Sequence, residues 1–155
     1  MPGAGPASVL AMLNPLSLVS FLAMVAGILG MAWKQVLFSP APAVIVLQAG
    51  AVVLMLWARR TFGLRSFHAT ANPTSGGIVT NGPYRYIRHP IYTAVCLFVL
   101  AGVAGHPGLA SAGFALPVFA GAIGRMLSEE RLLRQRYPEY AAYASRTARM
   151  VPGLF

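Results

Sequence analysis

Acidic residues are almost missing from this chain: there are 3, against 12 lysines and arginines, and charged residues of both signs make up only 10%. Cysteine occurs once, as Cys96 inside an apolar run, which excludes an intrachain disulfide and any cysteine-based metal cluster. There is no GxGxxG fingerprint and no alternation of strand and helix patterns, so a Rossmann-type nucleotide domain is excluded. No internal repeat and no low-complexity tract is present. The long apolar runs carry no charged side chain, which argues against a transport pathway.

What is present is apolar. Hydrophobic residues supply 57% of the 155 residues and the mean hydropathy is +0.65, far from the composition of a soluble domain. The length suits one domain over residues 1–155, and the composition places that domain in a bilayer. The net charge of +9 invites a nucleic-acid reading, but its distribution does not support one. Only Lys34 precedes Arg59, and the remaining basic residues are arginines in segments 59–88 and 125–149, between or after apolar runs. Such charge sets membrane orientation and meets anionic headgroups. No nucleic-acid partner is expected.

The apolar runs predict an all-α polytopic membrane bundle of about four transmembrane helices with a C-terminal cytoplasmic helical segment. The first run, 13–33, is long enough to reach the hydrocarbon thickness of about 30 Å. No lysine or arginine precedes it and no cleavage site follows, so it is expected to be retained rather than removed as a signal peptide. The second span is 43–58, with Gln48 its one strongly polar side chain and Arg59-Arg60 at its end. The third and fourth, 91–105 and 109–124, are short and meet at the turn Gly105-His106-Pro107-Gly108, with a kink expected at Pro117. Residues 125–136 continue the fourth helix, Tyr137-Pro138 interrupts it, and 139–147 form a second short helix. The positive-inside bias then puts 59–90 and 125–155 on the cytoplasmic side with both termini, leaving Lys34 alone opposite. Arginine over lysine and abundant alanine and glycine suit a high-GC bacterial source, hence a bacterial inner membrane.

This topology brings two polar segments together at the ends of one helical hairpin. Asn81–Tyr92 carries Arg85, Arg88, His89 and Tyr92, and Arg125–Tyr143 carries Arg125, Glu129, Glu130, Arg131 and Tyr140. Taken singly, the arginines read as interfacial anchors, the tyrosines as an aromatic belt, His89 as a packing residue and the glutamates as a solvated face. Taken together they describe a cytoplasm-facing pocket at the membrane boundary with cationic and anionic walls.

Gly82-Pro83-Tyr84, Arg88-His89-Pro90-Ile91-Tyr92, Glu129-Glu130-x-x-Leu133 and Tyr137-Pro138-x-Tyr140-x-x-Tyr143 resemble the isoprenylcysteine carboxyl methyltransferase and phospholipid methyltransferase superfamily over residues 76–152. The resemblance implies an integral-membrane methyltransferase that uses S-adenosylmethionine and a lipidic acceptor, a carboxylate or an amine, drawn from among membrane lipids. It implies a cofactor site made by Ile78, Val79, Thr80 and Gly82, with Tyr84, His89, Tyr92, Glu129 and Glu130. Arg88 and Arg125 become the candidates for the cofactor carboxylate or the acceptor, and no metal is implied. Two other classes compete. One is a sterol-reductase-like NADPH enzyme, a group with a similar RHPxY segment but a tendency to asparagine where Ile91 stands. The other is a non-enzymatic membrane protein.

Overall fold

The computed structural model describes residues 15–63 and 77–153. The start expected for the first span at 13 and the turns expected over 72–76 lie outside the described residues. Among the described residues five α-helices follow in order: α1 Pro15–Trp33, α2 Pro42–Phe62, α3 Pro90–Gly105, α4 Leu109–Arg136 and α5 Tyr140–Ala144. A 3-10 turn, Gly82–Arg85, precedes α3. Among the described residues there is no strand, only an isolated parallel bridge between Ile87 and Ala148. The chain is a helical membrane bundle.

Among the described residues three helices are long and apolar enough to cross a membrane, α1, α2 and α4, while α3 is a shorter apolar helix of 16 residues. At 1.5 Å per residue, α3 reaches about 24 Å and the 28 residues of α4 about 42 Å. Proline opens α1, α2 and α3, where its missing N–H and fixed φ cost nothing. Pro117 lies within α4, which runs through it without a break. α2 continues past Arg59-Arg60 to Phe62 and stops at Gly63, whose φ of 69° ends the helix.

α1 packs along α4, α4 along α3, and α3 along α2. Without a hydrophobic drive between helices in lipid, close backbone approach holds such pairs together. The buried stripe of α1 is Ser17, Ser20, Met24, Gly27 and Met31, and small residues of α4 face it. A Cβ on Gly121 would collide with the Ser20 carbonyl. Large apolar residues face outward instead, including Val19 at 63% and Val46 at 69% exposed, as a lipid-facing surface requires. Buried Gln48 donates to the Leu37 carbonyl at 2.7 Å, so its polar group ties α2 to the loop after α1 and is satisfied within the protein.

These pairings gather the end of α2, the start of α3 and the last turns of α4 at one end of the bundle. α5 spans Tyr140–Ala144, shorter than the helix expected over 139–147. The backbone after it turns away to pair with residues 86–89, and that tertiary partner displaces the local helix.

A candidate active site where α3 begins and α4 ends

The site is built on two helix ends. His89 and Pro90 open α3, and Tyr92 sits within its first turn. Glu129 and Glu130 lie near the end of α4, and Arg125 is one turn earlier on the face shared with Glu129. The structure brings all of these together.

Glu130 is buried at 4% exposure. Its Oε1 accepts from Arg88 Nε at 3.0 Å and lies 3.4 Å from His89 Nε2. Arg149 Nε reaches both of its oxygens at 3.3 Å. Burial alone would raise this carboxyl, but the hydrogen bonds and positive charge from His89 and Arg88 hold it down at about 2. Arg88 also donates from Nη1 to the Ala144 carbonyl at 2.8 Å and to the Thr147 carbonyl.

Glu129 has different surroundings. Its side chain is 21% exposed, and it accepts from the Tyr92 hydroxyl and from Arg125 Nη2 at 3.4 Å. Arg125 Nε donates to the Tyr92 oxygen at 2.9 Å, and its guanidinium lies 5.4 Å from the centre of the Phe21 ring on α1. Nδ1 of His89 is 3.8 Å from Glu129 Oε2. The imidazole therefore stands between the two carboxylates.

Ile78, Val79 and Thr80 line a separate feature, an open cleft of about 590 Å³ completed by Thr61, Phe62 and Asn81. That volume falls in the range of small-molecule sites. Gly82 follows the cleft segment and packs against Thr61 of its lining. Its φ is +56°, and a Cβ there would meet Thr61 Oγ1 at 2.5 Å, so glycine is required twice over. Tyr84 joins the cleft to the charged cluster. Its ring lies 5.5 Å from that of Phe62, and burial, then the charge of Glu129, pushes its hydroxyl up. Tyr143 donates to the Tyr84 carbonyl at 2.7 Å.

One polar atom is left over. The hydroxyl of Tyr140, a residue 1% exposed, has no hydrogen-bond partner among the described residues. Burial, followed by the charge of Glu130, pushes it up.

Sequence reasoning did not anticipate Arg149, Thr147, Phe21 or Phe62 here. Only Arg149 carried a signal, as a late arginine in a chain with 3 acids, and nothing local tied it to Glu130.

Comparisons with known proteins agree with this architecture. A family model described as phospholipid methyltransferase matches residues 36–140. The chain is 37% identical over 82 residues to the nickel-cobalt-cadmium resistance protein NccN of Alcaligenes xylosoxydans xylosoxydans, covering 50% of this chain and 37% of that protein. It is 36% identical over 78 residues to the cobalt-zinc-cadmium resistance protein CzcN of Cupriavidus metallidurans, covering 50% of this chain and 36% of that one. The chain thus spans little more than a third of the length of these curated relatives. No solved structure matches it at the same stringency.

Proposed function

Because the chain belongs to the phospholipid methyltransferase family, we propose that it is an integral-membrane methyltransferase that moves the methyl group of S-adenosylmethionine to a lipidic or membrane-partitioned acceptor. The observation that carries the reading is the convergence of Glu129, Glu130, His89, Tyr92 and Arg125 where short α3 begins and α4 leaves the apolar zone.

The residues suit this cofactor chemically. Its ammonium and sulfonium call for carboxylates and aromatic faces, and its carboxylate calls for arginine. Glu129, the more exposed acid, is the carboxylate available to a cationic group, with Tyr92 and Tyr84 beside it. Arg125 is the arginine for the carboxylate. The cleft along Ile78–Asn81 has room for a nucleoside, and the unused Tyr140 hydroxyl supplies a further donor. Bound there, S-adenosylmethionine would supply an electrophilic methyl group.

The protein's own work is then positioning and charge. Arg125 and Tyr92 hold Glu129 in one orientation, and orientation is worth several kcal/mol in a bimolecular displacement. A carboxylate acceptor is ionised at neutral pH and needs no base. An amine acceptor first gives up a proton, and Glu129 or His89 is the group at hand to take it. Arg88 spends Nε on Glu130 and Nη1 on carbonyls 144 and 147, which favours a positioning role for it in this scheme.

The arginines of the site end favour a cytoplasmic orientation for it in a bacterial inner membrane. Among the described residues no group of three or more His, Cys, Asp or Glu is placed to hold an ion.

Calorimetric titration of detergent-purified protein with S-adenosylmethionine, S-adenosylhomocysteine and NADPH tests the reading. Binding of the two adenosyl compounds is expected. Binding of NADPH alone would transfer the site to the reductase class, and binding of none of the three would leave a non-enzymatic membrane protein.

A further inference from the structure

The two carboxylates of the acidic pair are held in unequal ways, and part of the difference comes from a segment beyond the family-model match. That match ends at residue 140. Residues 147–150 nevertheless lie along the entry to α3 as a strap. Ala148 N donates to the Tyr86 carbonyl at 3.1 Å, Arg88 N to the Ala148 carbonyl at 2.8 Å, and His89 N to the Arg149 carbonyl at 3.0 Å. The Thr93 hydroxyl donates to the Met150 carbonyl at 3.1 Å. The strap therefore holds the backbone of Arg88 and His89 directly, and it delivers the Arg149 side chain to Glu130.

We propose that residues 147–150 form a wall of the active site and that Arg149 is a positioning residue for the acidic pair. Arg88 and His89 both approach Oε1 of Glu130, so both of these donors sit on one oxygen. Arg149 Nε, at 3.3 Å from both oxygens, adds the contact that holds Oε2 as well. With Glu130 locked, His89 Nε2 is held toward it and Nδ1 toward Glu129. The exposed edge of Glu129 is then left as the anionic face for a cationic ligand. This assignment of Glu129 rests on the methyltransferase reading; the strap itself does not.

The test uses full-length protein in detergent, with S-adenosylhomocysteine as the probe. Arg149→Gln is expected to weaken its binding at least fivefold, and Arg149→Lys, which keeps the charge, to recover to within about twofold of the parent. Arg146→Gln is the control, since Arg146 is exposed and its side chain donates only to the Ala142 carbonyl among its described bonds; parent affinity is expected. Parent-like binding by Arg149→Gln overturns the assignment. So does equal weakness of the Lys and Gln variants, or equal weakness of Arg146→Gln, because either means that positioning by charge is not at work.

Hydrogen exchange keeps the strap testable without any ligand. Ala148→Pro removes the donor to Tyr86, and the amides of Arg88 and His89 are expected to exchange at least tenfold faster. Unchanged exchange at both amides rejects the strap. Absence of adenosyl binding by the parent protein rejects the methyltransferase reading instead.

Discussion

Arg88 donates from Nε to Oε1 of Glu130 over 3.0 Å, joining residues 42 positions apart at the two ends of the α3–α4 hairpin. Both side chains are under a tenth exposed, so the pair is a clip inside the protein rather than a surface ion pair. Breaking one side of such a pair leaves a charge uncompensated, and that asymmetry sorts the two glutamates by role.

Glu130→Gln is expected to destabilise the protein by about 3 kcal/mol or more, because buried Arg88 loses its counter-charge and Arg149 loses its partner. Unfolding in detergent, followed by helix content, measures this. A loss below that seen for Glu129→Gln contradicts the clip.

Glu129→Gln is expected to do the reverse. Its carboxylate is a fifth exposed, so stability should fall by about 1 kcal/mol or less, while affinity for S-adenosylmethionine drops at least about tenfold, or 1.4 kcal/mol. Titration calorimetry on the variant decides it. Unchanged affinity returns Glu129 to a surface role.

Acid should undo the clip over a defined window. The Glu130 carboxyl is held at about 2 against an ordinary 4.5. A depressed folded value means the stabilisation is complete above the unfolded value and fades as pH falls from about 5 toward 2. Melting temperatures in detergent between pH 7 and 3 should be flat above pH 5.5 and decline below it. The decline should be shallower in Glu130→Gln, which has no carboxyl to protonate there. Parallel curves for parent and variant assign the acid loss elsewhere.

Gly82→Ala is expected to cost about 1–3 kcal/mol, through its positive φ and its encounter with Thr61. Adding Thr61→Ala relieves the encounter but not the dihedral, so the double variant should recover part of the loss. Full recovery means that sterics alone demand glycine there. No recovery means that the dihedral alone does.

The bundle could be read from the sequence because each of its helices is an apolar run bounded by proline, glycine or charge. The meeting of His89 and Tyr92 with Glu129 and Arg125 also follows from topology, since a hairpin must bring its ends together. Helix ends were less legible. Arg59-Arg60 mark where apolar character stops, but a helix stops where its backbone does, at Gly63. The strap was not legible at all. A few residues that pair with another short segment leave no periodicity, and their reward is tertiary: Ala148 N goes to the Tyr86 carbonyl and the Ala144 carbonyl takes Arg88 Nη1, which splits the bond that would have closed another turn after α5. Phe21 over Arg125 was hidden for a related reason. An aromatic in an apolar run looks the same whether it faces lipid or a guanidinium.

The pairing of residues 86–89 with 147–149 also orders events in time. A chain is made from its N-terminus, so every apolar helix of the bundle leaves the ribosome before the strap does. Helices can enter the bilayer and pair while Arg88 still lacks the carbonyls of Ala144 and Thr147 and Glu130 still lacks Arg149. The Arg88–Glu130 cluster is therefore completed only after those helices have emerged. A nascent chain halted before Arg149 would be inserted yet lack the contacts that residues 147–149 make to Arg88, His89 and Glu130.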